Sequence, residues 1–212
     1  MTLFIGIFIP FIGTTLGSAC VYFMKQEMDE ILQKTLLGFA SGVMIAASFW
    51  SLLIPAIDLS VTLGYIAWLF PALGFIIGGL FVLLSDKFLD KVLSNRDTST
   101  NFKRSILLIS AITIHNIPEG MAIGVAFGGI SNGGVSLISA LMLAVGIGIQ
   151  NFPEGAAVSL PLRSYGYSRL KSFMYGQASG LVEPISAIIG VILVLKIKFI
   201  MPFLLSFAAG AM

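Results

Sequence analysis

The sequence predicts an all-α polytopic membrane protein, and three observations carry that prediction. Hydrophobic residues make up 57% of the chain and charged residues 10%, against about 25% charged in soluble domains, and mean hydropathy is +1.00. The apolar residues fall into blocks of about 20, the length a helix needs to cross a hydrocarbon core. Basic residues gather in alternate connections, as they do in loops kept in the cytoplasm. The 212 residues have room for roughly six to eight spanning helices in one transmembrane domain and for no sizeable soluble one.

Hydropathy places helices at about 3–24, 33–56, 62–85, 105–128, 133–160, 171–195 and from 199 to 212, the last of them incomplete. The first has no Lys or Arg before Lys25, so it lacks the basic start of a signal peptide and is expected to stay attached as a spanning helix. The lone Cys20 excludes a disulfide framework and is expected to be a small core residue. The first, third and fifth connections hold Lys25 and Lys34; Lys87, Lys91, Arg96, Lys103 and Arg104; and Arg163, Arg169 and Lys171. The second and fourth hold none, and the sixth holds Lys196 and Lys198. This bias puts the odd connections in the cytoplasm and the N-terminus outside, in a cell or inner membrane. The longest connection, about 86–104, mixes Asp86, Asp90 and Asp97 with five basic residues. It reads as a solvated cytoplasmic loop or frayed helix end, without the His tract of a metal-gathering loop.

Two repetitions stand out. Gly38-Phe39-Ala40-Ser41-Gly42-Val43-Met44 returns as Ser206-Phe207-Ala208-Ala209-Gly210-Ala211-Met212. The two runs are expected to cross the membrane in opposite senses, as inverted repeats of secondary transporters do; small-residue patterns are also frequent at any membrane helix interface. If the repeat holds, a further helix is required after Met212, and the sequence is expected to be a C-terminally truncated piece.

The second repetition carries the chemistry. His115-Asn116-Ile117-Pro118-Glu119-Gly120 and Gln150-Asn151-Phe152-Pro153-Glu154-Gly155 both lie inside apolar blocks. A charge near the bilayer centre costs at least about 2.5 kcal/mol, so an intramembrane Glu points to function. Residues three and four apart share a helix face, which puts His115, Asn116 and Glu119 together and Gln150, Asn151 and Glu154 together. Pro118 and Pro153 free the carbonyls of Ile114 and Ile149 and are expected to kink their helices. Such groups survive in lipid only where water or an ion in a protein-lined cavity satisfies them. Glu183, next to Pro184, adds a third carboxylate. In a low-dielectric core these acids call for a counter-cation, and oxygen plus imidazole donors suit a divalent transition metal such as zinc, iron or manganese. A proton relay, another cation, and a structural polar network remain alternatives. An intramembrane metal hydrolase fits less well, because the chain has a single His and such sites use two imidazoles. A metal-binding scaffold without flux is a further class.

At these residues the chain resembles the ZIP (Zrt/Irt-like) divalent metal transporters, and Gln150-Asn151-Phe152-Pro153-Glu154-Gly155 resembles the GufA-like branch. The likeness extends to Ser51-Leu52-Leu53-Ile54-Pro55-Ala56 and Val182-Glu183-Pro184. It implies eight helices arranged 3+2+3, with about seven present here. It also implies a two-metal site, one position resembling Met44, His115, Glu119, Gln150 and Glu154 and the other Asn116, Glu119, Asn151, Glu154 and Glu183, with Ser51 on the path. Many relatives have His in place of Gln150 and an acid in place of Asn151, so the neutral amides weaken the case for a full second ion. The resemblance implies inward movement of Zn²⁺, or of Fe²⁺, Mn²⁺ or Cd²⁺, by alternating access. The ion must bind tightly enough to be selected and loosely enough to leave. No prosthetic cofactor is expected. The expected partners are divalent ions and the lipid bilayer, with a homodimer open and no nucleic acid.

Overall fold

The structure, a computed structural model, describes residues 2–23, 30–94, 100–131 and 134–212. Lys25 and Arg96, used above for orientation, and Asp97 lie outside them. The described residues form α1 (Thr2–Phe23), α2 (Glu30–Ala46), a π-helical segment (Ala47–Leu53), α3 (Ile54–Thr62), α4 (Leu69–Ser94), α5 (Thr100–Ile130), α6 (Leu137–Ser164), α7 (Arg169–Gly180), α8 (Val182–Lys196), a 3₁₀ turn (Lys198–Ile200) and α9 (Met201–Ala211). Among the described residues, six helical spans are long and apolar enough to cross a membrane, Lys34–Thr62 and Arg169–Lys196 included, and Met201–Ala211 is a shorter apolar helix.

Proline explains where these spans break. Pro184 has no N–H for the carbonyl of Gly180 and its ring crowds that carbonyl; the chain turns at Leu181, separating α7 from α8. Pro55 sits in the first turn of α3, a position proline tolerates, and the π-helical segment before it absorbs the missing bond. Pro118 and Pro153, by contrast, lie inside helices that continue through them. In the segment expected as a solvated loop or frayed helix end, α4 runs on to Ser94 and α5 begins at Thr100. Phe88, Leu89, Val92 and Leu93 prolong a helical apolar spacing there.

Among the described residues, three pairs of helices pack backbone to backbone. A methyl group at Gly13 or Gly17 of α1 would collide with the carbonyl oxygen of Gly148 or Phe152 on α6; one at Gly120 or Gly124 of α5 with that of Glu183 or Ala187 on α8; and one at Gly78 of α4 with that of Phe207 on α9. Residue numbers rise together across each seam, so the paired helices run parallel. In a membrane, where lipid is as apolar as leucine, such close contact is what holds helices together. Buried side chains including Ile7, Leu52, Ile123, Leu143, Ile147 and Leu205 fill the space between the pairs.

The first repetition has a structural counterpart. Gly134 is bordered by both Leu59 of α3 and Met201 of α9, while Met44 of α2 and Met212 line one cavity. α9 therefore runs antiparallel to the α2–α3 span, and Ser41 and Met44 of the first run face Ala209 and Gly210 of the second across that cavity. Their packing differs: a side chain at Gly38 or Gly42 would meet open space, whereas one at Gly210 would strike the carbonyl of Phe75.

Candidate metal centre

α5 and α6 bring the two hexapeptides face to face. Nε2 of His115 lies 3.6 Å from Oε1 of Glu119, one turn along α5. That is too far for a hydrogen bond and close to the separation of about 3.3 Å that two ligands adopt on one tetrahedral zinc. Glu154 of α6 completes a cluster in which one ligand atom from each of His115, Glu119 and Glu154 lies within 4.8 Å of the others. Glu183 joins from the first turn of α8, with Glu119 in electrostatic reach of both Glu154 and Glu183. Glu119 and Glu183 are fully buried.

The amides tie this cluster to the helices around it. Nε2 of Gln150 donates to Oε1 of Glu119 and, at 3.1 Å, to Oδ1 of Asn151. Nδ2 of Asn116 donates to the carbonyl of Ser179 on α7 at 3.0 Å, where the nearby Pro184 loosens the helix ladder. Thr14 of α1 donates to Oε1 of Glu183 at 3.1 Å.

What remains unpaired decides the chemistry. Asn116 Oδ1, Glu119 Oε2, Gln150 Oε1, Glu154 Oε2 and Glu183 Oε2 are buried without a hydrogen-bond partner. Five acceptor oxygens buried without a hydrogen bond are an arrangement that suits a cation, because each otherwise costs free energy to bury. Asn151 is turned the other way: its oxygen accepts from Gln150, and its Nδ2 completes no hydrogen bond although the side chain lies in reach of the Glu183 carboxylate. Unpaired hydroxyls also occur at Ser159 and Ser172.

The sequence-predicted residues thus fall into two groups. His115, Asn116, Glu119, Gln150, Asn151, Glu154 and Glu183 converge from three helices. Met44 lines the neighbouring cavity of about 410 Å³ with Ser41, Ser48 and Phe49; its neighbour Val43 lies over Gly146, one turn before Gln150. Ser51 sits half-buried in the π-helical segment. Thr14 and the Ser179 carbonyl were not anticipated, although a Thr14-Thr15 pair between Gly13 and Gly17 in an apolar helix was a visible irregularity.

The profile of the family described as ZIP Zinc transporter matches residues 93–212. Zinc transporter ZIP11 of Xenopus tropicalis is 37% identical, over 94% of this chain and 82% of the relative. The human protein of that name is 34% identical, over 98% and 85%. The chain belongs to the ZIP zinc transporter family. Zinc transporter GufA of Myxococcus xanthus is 32% identical, over 94% of this chain and 80% of its own length, in keeping with the branch that the Gln150 motif suggested. Membership makes this an integral, multi-pass membrane protein that transports divalent metal rather than an enzyme, and the hydrolase alternative falls away.

Proposed function

We propose that this ZIP family member moves Zn²⁺ toward the cytoplasm through the centre formed by α5, α6 and α8, with Fe²⁺, Mn²⁺ and Cd²⁺ as further substrates. The five unpaired buried oxygens carry this reading. His115, Glu119, Gln150 and Glu154 hold one ion, with Met44 as a soft ligand at the cavity wall. Asn116, Asn151 and Glu183 share Glu119 and Glu154 to form a second position. This position is the weaker one, since Asn151 must turn its oxygen inward to contribute. Ser51 lies along the path. The charge distribution supports an external N-terminus in a cell or inner membrane and a cytoplasmic connection between α4 and α5. The outward Phe75, Ile76, Leu80 and Leu84 of α4 are exposed and suit contact with lipid or with a second copy in a homodimer.

The deciding experiment is ⁶⁵Zn uptake into proteoliposomes. Glu119→Ala and Glu154→Ala each abolish uptake, because each removes a carboxylate shared by both ion positions. Undiminished uptake by either variant overturns the assignment. Equilibrium binding without time-dependent uptake by the native protein would point to a scaffold instead.

A further inference from the structure

Thr14 is fully buried, and its hydroxyl has two acceptors in reach. They are Oε1 of Glu183 at 3.1 Å and the carbonyl of Pro10 at 3.3 Å. A helical threonine ordinarily donates to the carbonyl four residues back, as Thr15 does to Phe11 at 2.8 Å. At Thr14 that bond is the longer of the two and the carboxylate is the nearer acceptor.

The surroundings make this contact specific. A Cβ at Gly155 would collide with the Thr14 carbonyl oxygen, and one at Gly180 would meet Cβ and Cγ2 of Thr14 at 2.9 Å. On the opposite side, Gly120 admits the backbone of Glu183. The glycines that close the two hexapeptides therefore serve one carboxylate. Gly120 makes room for its main chain, and Gly155 makes room for the helix that brings its donor.

We propose that Thr14 is a positioning residue for the transported cation: by holding Oε1 of Glu183 it fixes the carboxylate so that Oε2, buried and making no hydrogen bond, is left for the metal. This rests on the metal-site reading above. It touches no ion itself and acts only through Glu183. Residues that orient a ligand in this way typically contribute about 10- to 100-fold in metal affinity.

The test is ⁶⁵Zn uptake by the reconstituted protein as a function of zinc concentration. Thr14→Val keeps the shape and removes the hydroxyl; Thr14→Ser keeps the hydroxyl; Thr14→Ala serves in place of Thr14→Val should that variant misfold. The hydroxyl-free variant raises KM about tenfold or more with a smaller change in kcat, Thr14→Ser recovers most of the loss, and Thr14→Val adds nothing to Glu183→Gln. An unchanged KM in Thr14→Val, a Thr14→Ser as impaired as Thr14→Val, or additive losses in the double variant overturns the proposal. If Glu183→Gln alone leaves uptake intact, the second ion position itself is wrong. If Glu183→Gln impairs uptake and Thr14→Val does not, only the role of Thr14 is lost.

Discussion

A single side-chain nitrogen, Nε2 of Gln150, serves two acceptors on two helices. Leucine at this position would fill a similar volume and leave Oε1 of Glu119 and Oδ1 of Asn151 buried without their donor. Gln150→Leu should therefore lower stability by about 1–3 kcal/mol, read as a drop in the thermal unfolding midpoint in detergent, and should weaken zinc binding measured by titration calorimetry. Asn116→Asp probes the same principle differently. The replacement sets a carboxylate oxygen against the Ser179 carbonyl in place of the donor Nδ2, and its unfolding midpoint should fall by a comparable amount. The positions of these residues were legible in the sequence, because three- and four-residue spacing on a helix places His115, Asn116 and Glu119 on one face whatever surrounds them. The partners of Glu183 and Asn116 were not. Thr14 is 169 residues from Glu183 and Ser179 is 63 from Asn116, and no local pattern encodes a contact made by packing.

At the level of the helix, glycines of identical spacing have opposite roles. Gly13 and Gly17 press α1 onto α6, while Gly38 and Gly42 of α2 face open space. Gly42→Ala should be neutral or stabilising by up to about 1 kcal/mol, because alanine is the better helix former. Gly17→Ala should destabilise by about 1–3 kcal/mol, since a methyl group there forces α1 away from Phe152; chemical denaturation of the two variants side by side checks the contrast. Sequence alone ranks all four alike. It also gave no sign that Pro184 would divide its span at Leu181 while Pro118 and Pro153 are carried inside unbroken helices. In each case the outcome depends on what the freed carbonyl finds nearby, and that is a property of the neighbouring element.

Across the whole molecule, the all-α membrane architecture followed from composition and block length, since few other folds satisfy backbone polar groups in lipid. Orientation still rests on charge, and it can be measured directly. In a Cys20→Ser background, Ser168→Cys at the start of α7 should react with an impermeant maleimide only after the cytoplasmic side is opened. Labelling from outside would reverse the proposed direction of transport. The cavity between α2, the π-helical segment, α4 and α9 is lined by Met44 and by none of the clustered carboxylates. Ser48→Trp should occupy part of its roughly 410 Å³ and slow uptake severalfold with a smaller change in equilibrium zinc binding, a separation that calorimetry and flux together would expose. The parallel seams have a last consequence, for how substitutions would be tolerated along the chain. On the inner edges of α1, α4 and α5, Gly13 and Gly17, Gly74 and Gly78, and Gly120 and Gly124 have no space for even one added carbon, whereas the outer edges should accept any greasy side chain. An exhaustive survey of single variants scored by growth on limiting metal would show these forbidden positions as periodic stripes, and aligning the stripes would reveal which helices are neighbours.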